Sequence, residues 1–319
     1  NLGWAPPPVL SKKDQRQVEE QKAGQINMFE HVLSQMLPTV MGRILEITEQ
    51  ESRDYETVQA KEAADRAVRE LKAPFEAVAG LWTSAYFGNA FDRGDYDEAL
   101  GVISQPGTLL ELDPVDRARE MAQERRFFHW ELAFPEVFYD QHGRRLGDRA
   151  GFDAVVGNPP YRISPERDLL AAIFPTTRGS GDLYVAFVER GIKLCREHGR
   201  FSYIIPVTWQ TGVNYSRMRG ELLERSIIRI VNLPYDVFPD AYIDTCIVVV
   251  RRQAPKVEFE ADCYAFPKMR TKPSLKNLEY SAVRQSSWDE RIILDPVKLR
   301  LIQRLEDTET TRELGGMTE

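Results

Sequence analysis

Asn158-Pro159-Pro160-Tyr161 is the stretch of this chain whose residue types, in that order, could carry chemistry. It follows directly on Phe152-Asp153-Ala154-Val155-Val156-Gly157, which reads as a buried strand. Two adjacent prolines cannot continue a strand's hydrogen-bond ladder, and they bias the residues before them toward extended geometry. The outcome is a rigid corner at the carboxyl end of a strand, where open α/β sheets bind ligands. The corner offers the amide oxygen of Asn158, the free carbonyl of Pro159 and the ring of Tyr161. Two converging acceptors beside a stacking ring suit a planar group bearing an NH₂. They do not suit a carboxylate or a phosphate, which need donors. The plain alternative is a strand-ending turn with an incidental tyrosine, and the strand in front of the motif counts against it.

A corner of this kind needs a sheet behind it, and the sequence changes character near Arg126 to provide one. Phe127 to Phe138 is aromatic and apolar, and Gln141 to Gly151 is a polar turn with three glycines. Strand-like runs then alternate with helical ones. The strands are Phe152–Gly157, Arg200–Pro206, Ile227–Leu233 and Thr245–Arg252, with Val257–Phe266 as a further candidate. The helices are Asp182–Arg196, with Leu183, Phe187, Val188, Ile192 and Cys195 on its apolar side, and Tyr215–Leu223. This alternation predicts an α/β layer with a mostly parallel sheet. After Lys268 the pattern loosens.

The first 150 residues read as helical. Pro6-Pro7-Pro8 is a stiff lead-in, and Ser11-Lys12-Lys13-Asp14 opens a polar helix running to Gly24. Met28 to Leu37 carries one apolar face that Pro38 interrupts. Val40 to Ala73 reads as a helical hairpin or a long exposed helix, and Pro74 to Phe87 as a third helix. The domain reading is therefore a helical region at 1–125, an α/β region at 126–255, and a further region at 256–319.

Composition narrows the classes. At 42% hydrophobic and 29% charged, with 15 Phe, 12 Tyr and 5 Trp, the 319 residues can build a core. Cys246 to Val250 is among the longest apolar runs and falls far short of the roughly 20 residues that span a bilayer. The three cysteines show neither paired nor metal-like spacing, which disfavours a disulfide scaffold or a zinc site and fits a reducing cytoplasm. The net charge of −7 is uneven: residues 1–150 hold 18 Lys and Arg against 26 Asp and Glu, and residues 151–319 hold 24 against 23. Arg251 to Lys276 has seven basic residues against three acidic ones, which is either a phosphate-contacting patch or a solvated face.

Several ordered pieces carry a resemblance. They are Phe128-His129-Trp130-Glu131-Leu132-Ala133-Phe134-Pro135-Glu136-Val137-Phe138, the strand with Asn158-Pro159-Pro160-Tyr161, and Gly181-Asp182-Leu183-Tyr184. Further on come Gly199 to Pro206 and Val237-Phe238-Pro239. From Phe127 to Arg252 the chain resembles the second half of the catalytic domain of γ-class N6-adenine DNA methyltransferases. It is most similar to the large methylases of restriction–modification and phage-defence systems. The resemblance implies an α/β fold in which the later strands of a Rossmann-like methyltransferase sheet follow a mostly helical region. It also implies methyl transfer from S-adenosylmethionine to N6 of an adenine flipped out of double-stranded DNA.

By the same resemblance Asn158, Pro159, Pro160 and Tyr161 are catalytic, and Tyr161 and Phe238 stack on the target base. Asn158, Asp182 and Phe187 contact the cofactor. Asp182 could equally be a helix N-cap, Phe238 and Phe187 core residues, and His129 and Trp130 packing. No Gly-x-Gly precedes Asn158, so the glycine-rich cofactor loop of the family is not found. This leads to the expectation of a piece of a larger polypeptide, with strands four to seven of the sheet and an open edge at Phe152–Gly157. Such a piece would bind the cofactor weakly unless joined by the missing part or by other defence-system subunits. Two alternatives stand beside this reading: a protein-glutamine methyltransferase, which shares the four-residue motif, and a non-catalytic DNA-binding module of a defence complex. Asn at the first motif position favours adenine over cytosine-N4 chemistry.

Overall fold

The computed structural model describes residues 29, 31–47, 55–234, 237–238, 243–266, 278–288 and 291–307, the last helix with side chains as far as Leu301. The expected helix from Ser11 to Gly24 and the segment 267–277 of the basic stretch lie outside the described residues. The chain forms two compact units, Asn1–Ala150 and Gly151–Glu319.

The first unit is helical. Residues 31–47 form α1, which runs through Pro38 instead of stopping there. A proline inside a helix leaves the carbonyl four residues earlier without its usual donor. Here that carbonyl, of Ser34, lies against Gly143, where an added Cβ would sit 2.6 Å away; Gly143 also has φ +74°. Only glycine fits that approach. Next comes α2 (Tyr55–Ser84), a single 30-residue helix with Pro74 inside it, where the sequence suggested a break. Its first half is charged and exposed. Its second half buries Phe75, Val78 and Leu81, and that packing offsets the bond Pro74 cannot make. Three shorter helices the sequence reading did not resolve complete the packing on α2: α3 (Arg93–Gly101), α4 (Pro106–Glu111) and α5 (Asp113–Arg125). Asp92 and Asp95 form a capping box at the start of α3. The aromatic stretch makes two short turns, α6 (Trp130–Ala133) and α7 (Pro135–Phe138). Phe128, Trp130 and Phe134 pack on one another there, and burial lowers the His129 pKa to about 4.

The second unit is an α/β layer. Its strands are β1 (Phe152–Gly157), β2 (Cys195–Pro206), β3 (Ser226–Asn232), β4 (Thr245–Arg251), β5 (Glu260–Ala265) and β6 (Glu279–Arg284), in the spatial order β1-β2-β4-β3-β5-β6. The sheet is mixed rather than mostly parallel. β1 and β2 are parallel, as are β3 and β5, while β4 runs antiparallel to both of its neighbours and β6 to β5. The reason is local: 12 residues join β3 to β4 and 13 join β5 to β6, the short end for a parallel crossover and ample for an antiparallel return. A short helix, α8 (Arg167–Ile173), follows β1, and β6 and α11 (Pro296–Asp307) fall where the sequence pattern had faded.

One face of this sheet is dry. Phe201 and Ile205 of β2, Cys246, Val248 and Val250 of β4, and Ile227 and Ile230 of β3 are all buried on it. They meet Tyr184, Val188 and Ile192 of α9 (Leu183–Leu194), Met218 and Leu222 of α10 (Ser216–Leu223), and Trp288. Each such apolar side chain contributes about 1.5–3 kcal/mol by leaving water. Phe187 was expected on this buried side of α9, yet it is 45% exposed. The stripe that meets the core runs through Tyr184, Val185, Val188 and Ile192, with Phe187 at its margin. β1 is the edge strand, pairing with β2 alone among the described strands, and its Val156 is 79% exposed.

Candidate active site

Gly157 closes β1, and its register partner is Tyr203 of β2. A Cβ at Gly157 would lie 2.9 Å from the Tyr203 ring, so glycine lets the backbone lie flat on that ring just before the corner. Asn158 to Tyr161 then leave the sheet with no regular structure. Asn158 is exposed, and its side chain makes no hydrogen bond among the described residues. Pro159 is buried and Pro160 exposed, so the first ring is the packed root of the corner. Tyr161 is half-buried. Its hydroxyl donates to the Ile204 carbonyl of β2 at 2.7 Å, and burial raises its pKa to about 12.

Tyr161 meets two other rings edge-on. Its centroid is 6.2 Å from that of Phe238 and 6.4 Å from that of Tyr184. Residues 161 and 238 are far apart in sequence, yet the aromatic pair forms because β1 ends, and the β3–β4 connection begins, at the same side of the sheet. Phe238 is half-buried and part of this cluster, so it is neither a wholly buried core residue nor a detached one.

The chain beyond Tyr161 is laced to the start of α9. The Ser164 N–H donates to the Gly181 carbonyl and the Leu183 N–H to the Arg162 carbonyl, both at 2.9 Å, with Ile163 opposite Asp182. Gly181 has φ +68°, the left-handed conformation this turn requires. Asp182 holds the N-cap position of α9, but its side chain caps nothing there. Its Oδ2 instead accepts the Tyr215 hydroxyl at 2.8 Å. Burial, and then this bond to Asp182, raise the Tyr215 pKa.

The structure thus brings Tyr161 and Phe238 together, three residues after Asn158, and ties the segment after Tyr161 to Asp182 through the backbone. Phe187 stands one turn into α9 with its ring exposed. Tyr215 and the packing role of Tyr184 were not read as site features. Tyr184 belongs to the Gly-Asp-Leu-Tyr piece, which was a pointer, whereas Tyr215 reaches Asp182 across 33 residues with no local signal. Among the described residues no group of three or more His, Cys, Asp or Glu could hold a metal ion. No described helix is long and apolar enough to cross a membrane, and the three cysteines are free and buried.

As for a methyl-donor site, the residues present fit in part. Phe187 offers an exposed ring, Asn158 an unbonded amide, and Asp182 a carboxylate with one oxygen held by Tyr215.

Comparison with known proteins identifies the lineage. A putative type II restriction enzyme and methyltransferase of Methanocaldococcus jannaschii is 31% identical over 234 residues, covering 68% of this chain and 18% of that protein. A type II methyltransferase of Thermus thermophilus is 28% identical over 113 residues, covering 32% of this chain and 26% of that protein. The chain therefore spans about a quarter or less of the length of these relatives. Among solved structures, the modification subunit of a putative type I restriction enzyme from Vibrio vulnificus aligns at a TM-score of 0.35 and 17% identity, over 43% of this chain and 35% of that one. The family model described as Eco57I restriction-modification methylase matches residues 47–238, well over half of the chain, with the corner at Asn158 inside the match. The chain belongs to the Eco57I restriction-modification methylase family.

Proposed function

We propose that this chain carries the methyl-accepting half of a DNA methyltransferase site that acts on N6 of an adenine flipped out of the duplex. The observation that carries the reading is the Tyr161–Phe238 ring pair at 6.2 Å, three residues beyond an exposed Asn158 whose side chain makes no hydrogen bond among the described residues. An adenine N6 lone pair is delocalised into the ring and is a poor nucleophile. Asn158 Oδ1 and the Pro159 carbonyl accept the two amino hydrogens and draw the nitrogen toward tetrahedral geometry, which gathers the lone pair. These bonds strengthen as positive charge grows on the nitrogen, so they favour the transition state over the bound base. Tyr161 stacks on the extruded base, worth about 1–3 kcal/mol. The proton lost after transfer passes to solvent, which reaches the exposed Asn158.

S-adenosylmethionine, when bound, supplies an electrophilic methyl on a sulfonium. In this chain Asn158, Asp182 and Phe187 would hold it. The partner is double-stranded DNA, and further segments or subunits of a restriction–modification system would complete the cofactor site and read the sequence. The matching relatives are named as restriction–modification proteins, which lends no support to the protein-glutamine alternative or the non-catalytic module.

The test is transfer of labelled methyl groups to unmethylated duplex DNA. Asn158→Ala should lower the rate more than about 100-fold, the range for losing a preorganised transition-state group, with the melting temperature unchanged. The product should be N6-methyladenine. Full activity in Asn158→Ala, or a label found on cytosine or on protein, would refute the reading.

A further inference from the structure

The diproline corner is stiff in itself, yet Tyr161 begins a segment whose position depends on what lies beyond it. Residues 162–164 run antiparallel to 181–183 through the two 2.9 Å backbone bonds described above. Asp182 is the centre of that pairing, opposite Ile163. An aspartate at an N-cap ordinarily accepts from the second or third helical amide. Asp182 forgoes that bond, and its carboxylate is committed to the Tyr215 hydroxyl at 2.8 Å. Tyr215 also reaches the corner by a second route. Its ring lies 5.9 Å from that of Tyr184, tilted by 33°, and Tyr184 in turn meets Tyr161 edge-on. The Tyr184 hydroxyl is buried beside the hydroxyls of Thr208 and Tyr215. Of the two phenols, the one bonded to a carboxylate is Tyr215.

We propose that Tyr215 is a positioning residue: its hydroxyl fixes the Asp182 carboxylate, and through Asp182 it fixes the pairing that carries Tyr161 against the target base. The consequence for turnover rests on the methyl-transfer reading, but the structural half stands apart from it. Tyr215→Phe removes one oxygen and keeps the ring on Tyr184. Asp182→Ala removes the same bond from the other side without losing a cap, because none is made.

Hydrogen exchange on the full chain tests the first half. In Tyr215→Phe the Ser164 and Leu183 amides should exchange about tenfold faster, the factor expected for a lost bond to a charged group. The double variant should be no faster than Asp182→Ala alone. In steady-state methyl transfer by the protein, Tyr215→Phe should lower kcat about tenfold while KM for DNA moves less than about twofold. Wild-type exchange at Ser164 and Leu183, multiplicative effects in the double variant, or a change confined to KM would each overturn the inference. Should Tyr215→Phe fail to fold, Asp182→Ala carries the exchange expectation, though not the kinetic one, because that carboxylate is also assigned to the cofactor. Exchange that moves as expected while Asn158→Ala leaves transfer intact would remove the proposed function and leave the positioning role standing.

Discussion

At the scale of single residues, Tyr161 combines an anchored hydroxyl with an accessible ring. Its pKa of about 12 keeps the hydroxyl protonated, and so donating to Ile204, across the whole pH range in which the protein would work. Tyr161→Phe should cost about 0.5–1.5 kcal/mol of stability for the lost bond while leaving stacking in place. Urea unfolding measures the first effect, and DNA affinity at fixed salt the second. Tyr161→Ala should lose both. Asn158, Pro159, Pro160 and Tyr161 stood out in the sequence because their types are contiguous: four residues after one strand supply acceptors, a ring and a stiff corner. Tyr215 was not, because its meaning lies in a bond to Asp182 that only the folded chain creates.

At the scale of elements, the packing of α9 on β2 depends on Gly191. A Cβ there would stand 2.6 Å from the Phe201 ring and 3.1 Å from the Tyr203 hydroxyl, and Phe201 is fully buried. Gly191→Ala gains about 1 kcal/mol in helix propensity, but overpacking costs about 1–3 kcal/mol. The net should be destabilising, read as a lower urea midpoint. Gly220→Ala in α10, where nothing lies within 4 Å, should instead be neutral or stabilising. The elements show the same division in what could be read ahead. β1, β3 and β4 were found from their apolar runs, to within a residue or two at their ends, whereas β2 starts five residues earlier than expected, at Cys195, which had been read as part of the helix before it. The breaks expected at Pro38 and Pro74 were wrong because a proline's local cost was weighed without the burial that outweighs it. The direction of β4 was also missed, since strand polarity depends on the connection and not on the strand's own residues.

At the scale of the molecule, β1 is both the strand that delivers the corner and the edge of the sheet, with Val156 largely exposed. An apolar edge with unpaired backbone groups is a template for association. The isolated chain should therefore associate as its concentration rises, and Val156→Lys should reduce this without lowering the melting temperature. Sedimentation velocity over a concentration series checks it, and equal association of the two proteins would locate the contact elsewhere.

The insertion of β4 between β2 and β3 has a consequence in time. Ile204, whose carbonyl anchors Tyr161, pairs with Ile247, so this part of β2 gains its second neighbour only when a later strand arrives. Tyr161 and Arg251 are separated by roughly ninety residues, which a ribosome adds in on the order of ten seconds. During that interval the nascent corner exists as sequence but not as a fixed shape, and a chain halted before β4 would carry Asn158 and Tyr161 without the scaffold that aims them.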